Sequence, residues 1–448
     1  MSARRFPVDG ERLRSDLERN AAFGATDPDD GRGRTVLPGT EPNRRAREYF
    51  VDRLEAAGLD VTVDAVGNIA GTWVPNGCDP DAAPVAAGSH LDSVPNGGIF
   101  DGPLGVYAVL EAVRAMQAAD VVPSRPVQVV CFTGEEGARF GDGVLGSSVA
   151  AGQFGVAEAL AVTDDSEVQR TSGNQTPSGE GETLREALDA IGFHGEGRLD
   201  ASDWRAWLEL HVEQGERLEE LGVPAGVVTS ITGTTRLRGT IAGEPEHTGT
   251  TAMADRTDAL AAASEFVLAL EAAARDAAAD TDGTAVGTVG ELSVDPGTVN
   301  VVPGHVEFSA DIRDVDQGVI DRLVDSAESK LATLEADRGV DTTLERPYDV
   351  PPVDMAAGCR DALHDAGDAL DVETVALHSG AGHDTMQVAR VTDAGMLFAP
   401  SRDGYSHTPL EWTDWEDCAT ATAVVTTALY SLTESTYETA DDTTNANQ

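Results

Sequence analysis

Nine side chains could bind a metal ion or move a proton: His90, Asp92, Asp101, Glu135, Glu136, His211, His378, His383 and His407. The densest group lies in 88–105, GSHLDSVPNGGIFDGPLG, where His90, Asp92 and Asp101 sit among glycines that permit a sharply bent loop. Nitrogen and carboxylate ligands without thiolate suit Zn, Mn, Co or Fe. Glu135 and Glu136 are adjacent. Neighbouring side chains leaving a strand diverge, so one can ligate an ion while the other acts as a general base. A carboxylate bridging two ions would sit between the histidine-bearing strands, and Asp101 is placed for that. Two ions about 3.5–4 Å apart could activate a water and polarise a substrate carbonyl.

Taken singly, each signal has an ordinary explanation. GSHLDSV could be a turn with a capping Asp, and Glu135-Glu136 a solvated pair. His194 and His364 read as surface residues, and His378 as structural. The joint pattern is harder to dismiss, because of the elements that position it. Pro84 to Ala87, Val127 to Phe132 and Ala206 to Leu210 are apolar runs typical of strands buried on both faces. Each is followed by a polar group: His90, the TGEEG of 133–137, and His211. In an open α/β sheet, ligands bind at that carboxyl edge. Pro103 suits a first helical turn, which puts Asp101 at the start of a helix.

A length of 448 residues favours two domains. After Leu221 the pattern changes, with strands at Val227–Ile231 and Thr235–Ile241, an Ala-rich helix over Asp255–Ala278 and strands at Ala285–Val294 and His305–Ile312. A helix at Gln317–Leu334 and a strand at Asp341–Arg346 complete an expected split-βαβ insertion. From Val353 the α/β alternation resumes. The expected class is α/β: a mostly parallel central sheet with helices on both faces, plus an inserted βαββαβ, ferredoxin-like domain. The polar stretch Asp164–Glu182 reads as a solvated insertion, and 435–448 as a disordered acidic tail.

Net charge is −47, and Lys330 is the only lysine. At about 1 M salt the Debye length is roughly 3 Å, so such a surface would not repel itself apart. This points to a salt-rich cytoplasm and argues against nucleic acid or an anionic membrane as partner. No apolar run nears the roughly 20 residues of a membrane span, and the N-terminal stretch has no signal-like apolar core. Four scattered cysteines suggest neither a disulfide frame nor a thiolate zinc site.

GSHLDSVPNGGIFDGPLGV, TGEEGARFG, LELHVEQG and SGAGHDT, in that order, resemble the amidase/carbamoylase branch of the M20 metallopeptidase clan. That branch holds N-carbamoyl-L-amino acid hydrolases, β-ureidopropionases and allantoate amidohydrolases. The resemblance runs from about Arg12 to Leu432. It implies a catalytic domain over 1–222 and 347–434, with a dimerisation and lid domain over 223–346. It further implies two divalent ions per subunit (Zn, Mn or Co), a homodimer and a small ureido acid substrate.

By the same resemblance, His90 and His211 hold one ion, Glu136 and His407 the other, and Asp101 bridges them. Asp92 orients His90, and Glu135 is the general base. Gln214, His247, Asn300 and Arg313 contact substrate, with His247 stabilising the oxyanion and Arg313 clamping a carboxylate. Gly380 and Ala381 line the pocket with backbone amides, while His383 has no assigned role. An ordinary ion pair with Asp311 or Asp314 is the competing explanation for Arg313. The implied reaction is hydrolysis of a ureido C–N bond, releasing ammonia and CO2. Allantoate is the alternative substrate. An M20 aminoacylase or dipeptidase and a noncatalytic metal-binding homologue are the more distant rivals.

Overall fold

The computed structural model describes residues 4–164, 181–281 and 283–434. Most of the expected 164–182 insertion and all of the 435–448 tail lie outside the described residues. The chain divides into two compact units, one up to Thr229 and from Asp354 onward, the other Ser230–Val353.

The first unit is built on a nine-stranded sheet. Its strands are β1 (Asp60–Val63), β2 (Ile69–Trp73), β3 (Val85–His90), β4 (Val127–Phe132), β5 (Ala206–Val212), β6 (Ala225–Ile231), β11 (Val353–Asp354), β12 (Thr374–Ser379) and β13 (Ala394–Ala399). The order is β1-β2-β4-β3-β5-β13-β6-β11, with β12 beside β6. The centre, β4-β3-β5-β13, is parallel. The flanking β2 and β6 run antiparallel to it.

The central strands are mostly apolar because both faces are covered. On one face Val85 and Ala87 of β3, with Leu208 and Leu210 of β5, pack into a core with residues of the helices Pro103–Ala118 and Trp415–Glu434. On the other face Ala86, Phe132, Trp204 and Trp207 form a second cluster with Val388, from the short helix Asp384–Val388. Trp207 is fully buried, and its indole N–H donates to Thr385 Oγ1 at 2.7 Å. Truncating such a side chain typically costs about 3–5 kcal/mol.

The second unit has four strands: β7 (Gly233–Ala242), β8 (Val286–Asp295), β9 (His305–Asp314) and β10 (Asp341–Val350). With helices Ala259–Asp280 and Gln317–Arg338 they run βαββαβ, in sheet order β10-β7-β9-β8, all antiparallel. Leu237 and Ile241 of β7, and Val306, Phe308, Ala310 and Ile312 of β9, alternate inward onto Phe266, Leu270, Leu323 and Leu331 of the helices. Period-two alternation of this kind marks a sheet with one covered face. Val227–Ile231 was expected to open the insertion. As β6 it pairs instead with β13 in the large sheet, through Val227 and Gly226. No helix among the described residues is long and apolar enough to cross a membrane.

Candidate metal centre

His90 ends β3 and His211 lies near the end of the neighbouring β5, so two parallel strands deliver two imidazoles to the same sheet edge. Both residues are almost completely buried. Asp101 precedes the helix Pro103–Ala118 and turns back over that edge. Its Oδ1 is 3.5 Å from His90 Nε2 and 3.2 Å from His211 Nε2, and its Oδ2 is 3.6 Å from His407 Nε2. Glu136 Oε2 is 3.1 Å from His407 Nε2. Two groups of potential ligands result, His90–Asp101–His211 and Asp101–Glu136–His407, with Asp101 in both.

The turn that returns Asp101 depends on Gly102, whose φ is +80°. A Cβ there would lie 2.5 Å from His90 Cε1 and 2.7 Å from the His90 carbonyl oxygen, so only glycine fits so close to the ring. His407 also has a left-handed backbone, φ 57°. Such a conformation costs about 1–3 kcal/mol unless its surroundings hold it.

The resemblance implied that Asp92 orients His90. The nearer atom is its backbone carbonyl oxygen, 3.2 Å from His90 Nδ1, while carboxylate Oδ1 is 3.9 Å away. The carboxylate accepts the amides of Gly134 (3.2 Å), Glu135 (3.4 Å) and Glu136 (3.2 Å), and so pins the turn that carries both glutamates. Glu135 Oε2 stands 3.7 Å from His90 Nε2.

The donor set fits divalent cations. His90 Nε2 is buried without a hydrogen-bond partner and faces two carboxylates. An all-nitrogen-and-oxygen set suits borderline and hard ions. Burial works against the ionised form of Asp101, but the His211 and His90 imidazoles outweigh it and hold its carboxyl well below the ordinary value. Burial drives the Glu135 carboxyl well above its ordinary value, with Asp384, Glu136 and Asp101 adding to the rise and His90 opposing it. His407 is raised to about 9 by its hydrogen bond to Glu136.

Gln214 Nε2 donates to Asp101 Oδ2 and to Ser406 Oγ, both at 3.2 Å, and Ser406 also bonds to Asp101. The loop after β12 carries Gly380 and Ala381. The Ala381 amide donates to Ser379 Oγ at 3.2 Å, and that hydroxyl lies 3.0 Å from His383 Nε2. His383 is buried with its ring 4.6 Å from that of His211.

In the second unit a short antiparallel ladder between 246–248 and 300–302 pairs His247 with Val301, the neighbour of Asn300 in the chain. Val302 N donates to Glu246 O, and Thr248 N to Asn300 O. His247 and Asn300 are exposed. Arg313 lies on β9 and pairs with Asp311, Nε to Oδ1 at 2.7 Å, the competing contact foreseen for it.

Four buried residues near the centre escaped the sequence reading: Arg34, Glu209, Asp384 and Glu411. Glu209 accepts Ser89 Oγ at 2.7 Å and Thr385 N at 3.1 Å, which ties β3, β5 and the helix Asp384–Val388 together beneath the histidines. Glu209 lies inside LELHVEQG and Asp384 inside SGAGHDT, while Glu411 ends the stretch SHTPLE that carries His407. Arg34 sits in no pattern at all.

The profile of peptidase family M20/M25/M40 matches residues 86–431, a span holding every residue of both ligand groups. The chain belongs to that family. This M20 chain is 39% identical over 431 residues to an N-carbamoyl-L-amino acid amidohydrolase of Geobacillus stearothermophilus, covering 95% of this chain and 99% of its relative. It is 33% identical over 383 residues to allantoate deiminase 1 of Glycine max, covering 80% and 77%. The crystal structure of an amidase of the hydantoinase/carbamoylase family from Burkholderia multivorans superposes with a TM-score of 0.85 at 34% identity. The match covers 95% of this M20 chain and 98% of that structure.

Proposed function

We propose that the chain is a two-metal amidohydrolase that cleaves the ureido C–N bond of an N-carbamoyl amino acid, yielding ammonia, CO2 and the free amino acid. The observation that carries this reading is the division of the Asp101 carboxylate, Oδ1 toward His90 and His211 and Oδ2 toward His407. His90, Asp101 and His211 would hold one divalent ion, and Asp101, Glu136 and His407 the other, with Zn, Mn or Co as candidates. Ions held there would polarise the ureido carbonyl and lower the pKa of the attacking water.

Glu135 takes the proton of that water and delivers it to the departing nitrogen. Burial and neighbouring carboxylates favour its protonated form, which suits a group that must also give the proton back. Asp92 holds the Glu135–Glu136 turn and meets His90 through its carbonyl. His247 donates to the oxyanion as the carbonyl carbon becomes tetrahedral. Arg313, Asn300, Gln214 and the Gly380–Ala381 amides hold the substrate, and Arg313 exchanges Asp311 for the substrate carboxylate. The carbamic acid released falls apart to ammonia and CO2.

The inserted unit, expected over 223–346, serves as the dimerisation and lid domain of a homodimer. In support, β8 is an edge strand of its sheet, and Val286 and Leu292 on it, with Leu268 on the helix Ala259–Asp280, are exposed. A salt-rich cytoplasm remains the proposed setting, on the strength of the charge.

Allantoate is the second reading, favoured by the relative named allantoate deiminase. The deciding experiment measures ammonia released from N-carbamoyl-L-amino acids, N-carbamoyl-β-alanine and allantoate, beside N-acetyl amino acids and dipeptides. Ammonia from a carbamoyl amino acid supports the proposal. Release of product only from the acetylated or peptide substrates would replace it with an aminoacylase or dipeptidase.

A further inference from the structure

Glu411 lies four residues beyond His407 and has no part in the chemistry above. It is 1% exposed. Its Oε1 accepts two consecutive amides, Phe100 at 2.8 Å and Asp101 at 3.0 Å. Gly98 lies flat against the same carboxylate, since a Cβ at Gly98 would fall 2.1 Å from Glu411 Cδ. The Gly98 carbonyl in turn accepts Nε of the buried Arg34 at 3.1 Å, and Arg34 Nη2 donates to the Asp92 carbonyl at 3.2 Å. That is the carbonyl oxygen His90 Nδ1 meets.

The loop from Asp92 to Asp101 is therefore gripped at both ends through its backbone, by two buried side chains of opposite charge. Burying a carboxylate is costly unless donors satisfy it. Here both donors converge on Oε1, and Oε2 is buried with no hydrogen-bond partner.

We infer that Glu411 is a positioning residue: it fixes the peptide carrying Asp101 so that each Asp101 oxygen faces its own ligand group. The inference rests on the two-metal reading. Outer residues that orient metal ligands typically change affinity about 10–100-fold when removed.

The test titrates Zn2+ into metal-stripped wild type, E411L, E411D, E411Q and D101N, reading affinity by calorimetry and folding by the thermal transition of the ion-free chain. E411L and E411D are expected to bind more weakly by about 10–100-fold. E411Q, whose amide oxygen can still accept both backbone N–H groups, is expected to bind nearly as wild type. E411D keeps the charge but loses the reach, so it decides the matter if E411L does not fold. Wild-type affinity in E411L or E411D alongside loss in D101N overturns the positioning role alone. Equal loss in E411Q and E411L overturns it in favour of a charge effect. Wild-type affinity in D101N sinks the two-metal reading, and the positioning role with it.

Discussion

Asp101 divides its carboxylate between histidines from two different segments of the chain, Oδ1 lying 3.2 Å from Nε2 of His211 and Oδ2 3.6 Å from Nε2 of His407. His211 stands on a central strand, His407 in a loop with a left-handed backbone. A carboxylate shared this way puts negative charge between the two ligand groups, which would lessen the repulsion between two cations held close together.

Gly102→Ala introduces a methyl group against the His90 ring and carbonyl, at a φ that disfavours any side chain. The variant should lose about 1–3 kcal/mol of stability from backbone strain. Its metal affinity should also fall, because His90 must swing away. Thermal unfolding and metal titration of the same preparation check both. Unchanged affinity would mean that His90 is not a ligand.

Glu135→Gln should keep its metal and lose about 10²–10⁴-fold in turnover, the usual contribution of a proton-transfer group. Metal analysis and initial rates on one sample separate the two effects. Near-full activity would remove Glu135 from the proton path.

The pair His407–Glu136 predicts opposite pH trends for the ion-free chain and for metal binding. The folded pKa of His407 is about 9, above the unfolded value of about 6.5. The stability this pair adds is therefore complete below pH 6.5 and lost as pH rises through 9. A metal ion must displace the same proton, so affinity at this group should climb over that window. Calorimetry in buffers of different ionisation heat should detect the released proton, and His407→Ala should abolish its release. A flat affinity profile in the wild type contradicts the assignment.

His90, Glu136 and His211 were legible as candidates because they end or follow apolar strands, and Asp101 because it falls in the glycine loop; the role of His407 and the grouping around Asp101 came from the family resemblance. Asp92 shows the limit of that legibility. The resemblance implied that Asp92 orients His90; its backbone carbonyl is the atom nearer the ring, and its carboxylate reaches three amides on another strand's turn. Arg34 and Glu411 were invisible as a clamp. They act on main-chain atoms, Glu411 on residues more than 300 positions away, and backbone contacts leave no residue-type pattern to find. The strand β6 was misplaced for a related reason: its buried apolar run looks the same in either sheet, and only the long-range partner β13 decides.

A homodimer through the β8 edge predicts that Val286→Glu or Leu268→Glu shifts the chain to monomer. Sedimentation in molar salt, where surface charge is screened, is the suitable measurement. A monomeric wild type would contradict the proposed interface.

The most direct test titrates Mn2+ into the metal-stripped chain while following ammonia release from an N-carbamoyl-L-amino acid. The account predicts that activity rises to a plateau at two equivalents of metal per chain. A plateau at one equivalent, or no ammonia at any loading, would contradict it.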